Sequence, residues 1–287
     1  MARKNITYHR LNLIGQDDSS ETFSNLNSLL NYIQNKETTD RKFNIPQSEK
    51  FMYLKEVRQT SDNLLRLLFV SAKHSYSAPL INSVNLESRP NPKTMTEGER
   101  VKTHVVIKYD NLDVYVLLES GGLNLKLSTI LKYLNYFASN YTRETNNPIN
   151  LFEGSIIPRN DFIEVLNDME RVLSAEFIMK KQVLGDDFLK LSNRMEEVVD
   201  KVKVKITATR NHSIKDTVQD VFAHLNGNRR EIVSLRVRGR MPNNDESLID
   251  TNVIIKKNYV EVEQNPNTGE FITEMMFEEI ERLTLQL

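Results

Sequence analysis

Two stretches of this chain alternate apolar and basic residues with a period of two, and that alternation constrains the fold more than any other feature. In Lys201–Thr209, Val202, Val204 and Ile206 fall on one side and Lys201, Lys203 and Lys205 on the other. In Ile232–Arg240, Val233, Leu235 and Val237 oppose Ser234, Arg236, Arg238 and Arg240. Successive side chains of an extended strand point to opposite faces, so each stretch predicts a β-strand with one face in a core and one in water. Sheets wet on one face are antiparallel as a rule, because parallel sheets are covered on both faces. Between the two strands, Ile214, Val218, Val221, Phe222 and Leu225 recur at helical spacing. Ser213 with Asp216 resembles a capping box at the start of that helix, and Asn226-Gly227-Asn228 ends it.

Elsewhere the pattern predicts a strand over Ile6–Ile14 and a helix over Glu21–Gln34, with Phe23, Leu26, Leu29, Leu30 and Ile33 on one stripe. Strands follow over Phe51–Gln59 and Leu64–Ser71, joined by the polar turn Thr60-Ser61-Asp62-Asn63. Val84–Glu99, with Pro90 and Pro92, reads as a loop. Val101–Tyr109 and Val114–Glu119 flank the hairpin turn Asp110-Asn111-Leu112-Asp113, and Leu127–Tyr141 has helical spacing. Polar Thr142–Asn150, containing Pro148, is the natural linker, which divides the chain into an N-terminal α+β domain, 1–145, and a C-terminal one, 146–287. The latter adds a helix over Phe162–Leu173, strands over Phe177–Val183 and Val253–Val262, and a last helix over Glu274–Leu285. The expected class is α+β: two α/β subdomains with mostly antiparallel sheets and flanking helices.

The 287 residues include no cysteine, which removes disulfides, thiolate metal sites and cysteine nucleophiles. No apolar run approaches the roughly 18–20 residues that span a bilayer, and no apolar segment follows Arg3 and Lys4 as in a signal peptide. A cytoplasmic protein without membrane insertion is expected. His9, His74, His104, His212 and His224 have no metal-binding spacing and read as surface or capping residues. Ser120-Gly121-Gly122 lacks the rest of a phosphate loop, and no nucleophile elbow occurs. Asp110 with Asp113 suits a turn, Asp186-Asp187 a helix start, and Glu278, Glu279 and Glu281 the exposed face of the last helix. No catalytic residue, metal or cofactor is assigned.

Charge is the informative feature. The formal net charge is −1, yet Lys201–Arg240 holds ten basic residues against Asp216, Asp220 and Glu231. Asp161–Asp200 holds ten acids against five bases, and Glu261–Leu287 seven Glu against Arg282. Alternate residues of a strand lie about 6.7 Å apart, close to the phosphate repeat of a nucleic-acid strand. Lys201, Lys203 and Lys205 with Arg236, Arg238 and Arg240 would form one basic face if their strands were neighbours, extended by Arg229, Arg230 and Lys256-Lys257. Such a face holds phosphates without reading bases. A solvated outer face, its repulsion offset by the flanking acids, fits the same pattern. No aromatic residue interrupts the basic strands, so double-stranded rather than single-stranded DNA is the expected polyanion.

Thr96-Glu97-Gly98-Glu99-Arg100-Val101, after a loop and before a strand, resembles a Ser-x-Gly-Glu-Arg-Val segment of the RexA-like sensor proteins of phage exclusion. Ile232-Val233-Ser234-Leu235-Arg236-Val237-Arg238 resembles a basic C-terminal strand of the same family, and the order of elements is similar. Related prophage and defence proteins that bind DNA, including the sensor-like half of the Kiwa system, are alternatives to this resemblance. The resemblance implies a non-enzymatic homodimer that binds duplex DNA largely without sequence preference in antiviral defence, with an effector protein encoded nearby and an architecture like the DNA-encircling RdgC proteins. It assigns phosphate contacts to Arg236 and Arg238 and offers Arg100 as a third, with a structural role for an Arg after Gly-Glu equally open. Two other readings stay open: an interaction protein whose basic strands meet an acidic partner, the acidic terminal helix included, and a divergent metal-dependent nuclease.

Overall fold

The computed structural model describes residues 2–14, 18–110, 113–157, 161–180, 201–226, 232–242, 246–250 and 257–285. The strands in chain order are β1 (Ala2–Leu13), β2 (Phe43–Asn44), β3 (Lys50–Ser61), β4 (Leu64–Lys73), β5 (Leu80–Ile81), β6 (Ser88–Arg89) and β7 (Val101–Tyr109). They continue as β8 (Val114–Ser120), β9 (Phe152–Ile156), β10 (Arg171–Lys180), β11 (Lys201–Thr207), β12 (Ile232–Arg240), β13 (Glu246–Asp250) and β14 (Lys257–Val262). The described helices are α1 (Ser19–Gln34), α2 (Leu127–Thr145), α3 (Asp161–Asp168), α4 (Lys215–Asn226) and α5 (Thr273–Thr284). The class is α+β, with mostly antiparallel sheets.

The chain forms two compact units, one of Met1–Thr7, Leu11–Gly154 and Asn258–Leu287, the other of Tyr8–Arg10 and Ser155–Lys257. The first is built on a sheet of order β14-β1-β8-β7-β4-β3-β2, with β9 beside β1. One face carries Leu65, Leu67, Phe69, Val105 and Ile107 into a core with Phe23, Leu26, Ile130 and Phe137 of α1 and α2. The other face meets α5, where the Phe277 ring lies 5.0 Å from that of His104 and Lys108 Nζ donates to the Thr284 carbonyl at 2.8 Å. Cover on both faces explains why β4 reads as a nearly unbroken apolar run rather than an alternation. The Asp18 carboxylate caps α1 by accepting from the amides of Ser20 and Glu21.

The second unit carries a four-stranded antiparallel sheet of order β11-β10-β12-β13. Its inner face packs Ala175, Phe177, Leu235, Val237 and Ile249 against Phe162 and Leu166 of α3 and Val218 and Phe222 of α4. Phe162 and Phe222 stack with centroids 4.5 Å apart. Ser213 Oγ accepts from the amides of Val172 (3.0 Å) and Lys215 (3.3 Å), which ties the start of α4 to the sheet.

Several expectations change. The helix placed over Phe162–Leu173 ends at Asp168, and the strand placed from Phe177 begins at Arg171, because Val172, Ala175 and Phe177 are needed in the sheet core. The polar strand β13 had no apolar signature to announce it. The terminal strand and helix belong to the first unit, not to a domain running from 146 to 287, since α5 buries Met276, Phe277 and Ile280 and pairs its acids with β3 and β4. Residues 181–183 of the strand expected to end at Val183, Asp186-Asp187 and Gly227-Asn228 lie outside the described residues.

Candidate nucleic-acid interface

The two basic strands are not neighbours. β10 lies between β11 and β12, so the condition for one continuous basic face is not met and a third strand divides the two. In register, Glu176 stands opposite both Lys205 and Arg236, Ser174 opposite Arg238, and Ile178 opposite Lys203. On β13, Leu248 opposes Arg238 and Asp250 opposes Arg236. The alternation itself holds: Val204 and Ile206 pack toward the core with Leu235 and Val237, which leaves Lys203, Lys205, Arg236, Arg238 and Arg240 on the face that α3 and α4 do not cover.

Glu176 is the centre of that face. Its Oε2 lies 2.5 Å from Lys203 Nζ and 4.0 Å from Arg236 Nη1, and its Oε1 lies 3.7 Å from Lys205 Nζ. The hydrogen bond from Lys203, aided by the charges of Lys203, Lys205 and Arg236, holds the Glu176 carboxyl below the usual carboxylate range. At the other end, Glu246 accepts from Arg238 Nε at 2.9 Å and from its Nη2, and lies 3.9 Å from Arg240. The four leading cations stay more than half exposed, at 56% for Lys203, 58% for Lys205, 51% for Arg236 and 58% for Arg238. Around them is an open hollow of about 400 Å³, lined by Ser174, Glu176, Lys205, Arg236, Arg238 and Leu248 among others. Gly239, within the basic strand, faces inward. A Cβ there would come within 2.2 Å of Met169 Sδ and 2.9 Å of the Arg171 carbonyl oxygen, so the strand closes on β10 only with glycine.

Of the residues singled out in the sequence, the sheet therefore gathers Lys203, Lys205, Arg236, Arg238 and Arg240. Lys201 pairs with Lys180 through the backbone, and its side chain lies outside the described residues, as do Arg229, Arg230 and Lys256. Lys257 opens β14 in the other sheet. Arg100 is set apart from this group: it belongs to the first unit, where its Nη2 donates to both Glu270 oxygens at 2.9 and 2.7 Å. Gly98, beside it, is required by packing, since a Cβ would sit 2.2 Å from the Lys73 carbonyl oxygen. Lys215 also has a structural role, its Nζ donating to the carbonyls of Asn167 and Met169 past the end of α3. Sequence reading missed Glu176 and Glu246. The signal for Glu176 was the period-two series Ser174, Glu176, Ile178, hidden by starting that strand at Phe177.

Two histidines correct the expectation of surface or capping roles. His104 is 1% exposed and its Nδ1 lies 2.7 Å from Glu119 Oε2, while Lys4 Nζ lies 3.1 Å from Glu119 Oε1. Burial favours the neutral Glu119 acid, yet the His104 and Lys4 partners outweigh it and hold the carboxyl below its ordinary range. His9 is buried too, and burial pushes its pKa down to about 4. Both lie in strands of the sheet that is covered on two faces, where alternation does not lead to water. Of the acids expected on the exposed face of the last helix, Glu278 is exposed, whereas Glu281 binds Arg66 at 2.6 Å; Glu274, in the first turn, binds Arg58 and Arg66. Asp110 accepts from the Asp113 amide at 2.9 Å, a turn role as expected. Among the described residues no cluster of His, Asp or Glu could hold a metal ion, and no helix is long and apolar enough to cross a membrane.

No protein-family model matches the chain, and no curated protein matches it in sequence.

Proposed function

We propose that the sheet face opposite α3 and α4 binds the phosphate backbone of duplex DNA, without chemistry and largely without reading sequence. The observation that carries this reading is the set of five cations, Lys203, Lys205, Arg236, Arg238 and Arg240, facing Glu176 and Glu246 on the sheet face opposite α3 and α4. Among the described residues of that face, these five cations outnumber the carboxylates Glu176 and Glu246. Along a strand they recur near the phosphate spacing, and long half-exposed stems let each charge reach an oxygen. The resemblance to RexA-like proteins supports a homodimeric sensor or regulator acting in the cytoplasm in phage exclusion or antiviral defence, with an effector partner. Because carboxylates of its own chain already satisfy part of this face, an acidic protein surface is the second reading.

Fluorescence anisotropy on a labelled duplex of about 30 base pairs tests the proposal. If a dimer contacts roughly 6–8 phosphates, log affinity falls against log salt with a slope near −5 to −7, equally for unrelated sequences. Replacing Arg236 and Arg238 by Ala removes two contacts per chain, so the slope should flatten by about 3–4. Unchanged affinity and slope in the double variant would remove the site. Absence of duplex binding at about 50 mM salt, with capture of an acidic protein instead, would favour the second reading.

A further inference from the structure

We infer that Glu176 is a built-in counterion that gates this face: an incoming phosphate must take Lys203, Lys205 and Arg236 from one carboxylate, so a polyanion enters and a single phosphate does not. The inference rests on the DNA reading above and names how that site is regulated. Glu176 belongs to β10, the strand laddered on both sides, by β11 through Lys205 and by β12 through Arg236. Its backbone is therefore fixed, and the carboxylate stays in the middle of the face. The cations are different: their stems are long, and Lys203, Lys205 and Arg236 are each more than half exposed. Binding moves the cations, not the acid.

Both carboxylate oxygens are in use. Oε2 holds Lys203 and faces Arg236, and Oε1 faces Lys205, so no cation of the group is released by a small rotation of the acid. The carboxyl stays ionised at neutral pH, because the three cations hold its titration below the ordinary range. An isolated phosphate competes against a charge tethered at an effective concentration in the millimolar range or above. A nucleic-acid backbone, once it has displaced Glu176, presents its next phosphates to Arg238 and Arg240, the partners of Glu246, without further diffusion. The gate thus sets selectivity for charge in series over charge in isolation.

The test compares the full chain with Glu176→Gln, Glu176→Asp and, as a control for net charge, Glu164→Gln, which removes an exposed acid from α3 on the opposite side of the sheet. Duplex binding is read by anisotropy across salt, with inorganic phosphate as competitor and thermal melting as the check of folding. Glu176→Gln should tighten duplex binding by roughly five- to tenfold and steepen the salt slope by about one, for one more phosphate engaged. It should also let inorganic phosphate compete at lower concentration. Glu176→Asp, which keeps the charge but draws it back toward the backbone, should fall between, and it serves if the Gln variant does not fold. Glu164→Gln should change affinity by less than about twofold. Binding by wild type with no tightening in either Glu176 variant, or equal tightening in Glu164→Gln, overturns the gate and leaves the DNA reading intact. Failure of both wild type and Glu176→Gln to bind overturns both, whereas binding by Glu176→Gln alone supports the gate.

Discussion

Glu119→Ala should destabilise the first unit selectively, and the size of the loss can be worked from its surroundings. The carboxylate is 2% exposed and accepts from the His104 amide (3.2 Å) and lies within 2.7 Å of His104 Nδ1 and 3.1 Å of Lys4 Nζ. Removing the acid leaves the buried His104 amide and Nδ1 without their acceptor and Lys4 without its ion-pair partner, together about 3–5 kcal/mol. Lys4 is 23% exposed and can turn to water, which places the expected loss at the lower end, about 3 kcal/mol. At roughly 2–4 °C per kcal/mol, the melting point of the unit falls by about 6–12 °C. The assay follows from composition: the chain has ten tyrosines and no tryptophan, and none of the tyrosines falls within Ser155–Lys257. Tyr8 alone is grouped with the second unit, so tyrosine fluorescence chiefly reports the first. The Glu119 carboxyl is held below its ordinary range, so its contribution is complete above the unfolded pKa and is lost as pH falls through the folded one. The gap between wild type and variant should be constant at neutral pH and shrink as the solution is acidified below about pH 4.5. A melting point within about 2 °C of wild type, or a gap that widens in acid, would refute the assignment of Glu119 as the ionised centre of this network.

Two further outcomes separate structure from binding. Gly239→Ala should cost about 1–3 kcal/mol in the second unit, because the new Cβ meets Met169 Sδ and the Arg171 carbonyl; faster amide exchange across β10 and β12 with tyrosine signals unchanged would show it. Arg100→Gln should leave duplex affinity and its salt slope as in wild type, since Arg100 belongs to the first unit and not to the basic sheet face; a slope flatter by one or more would return Arg100 to the binding surface.

What the sequence disclosed depended on how many faces of each element are covered. In β11 and β12 one face is wet, so Val204 and Ile206 against Lys203 and Lys205 could be sorted from local periodicity alone, and Ile232–Arg240 has the bounds expected of it. In β1 and β7 both faces are covered, so His9 and His104 were assigned to a surface that does not exist there. Partners distant in sequence were the other blind spot. Arg100 finds Glu270 across 170 positions and Arg66 finds Glu281 across 215, pairings that no local spacing encodes. Glu176 needed two registers at once, to β11 and to β12, before its place among three cations could be known.

That placement bears on how affinity should be read. Five like charges on one sheet face repel one another, and carboxylates within the same sheet offset the repulsion when nothing is bound. The same carboxylates must be displaced when a polyanion arrives, so stability of the empty face and affinity of the filled one are opposed at Glu176. A dissociation constant at one salt concentration mixes both effects. The salt slope does not, because it counts the counterions released by phosphate contacts that form. If Glu176 and Glu246 hold their cations in the complex, the slope per chain will fall short of the five cations present; if the cations transfer to phosphate, it will approach about 0.9 per cation. The shortfall measures how much of the basic face is turned toward the protein's own acids and how much toward DNA.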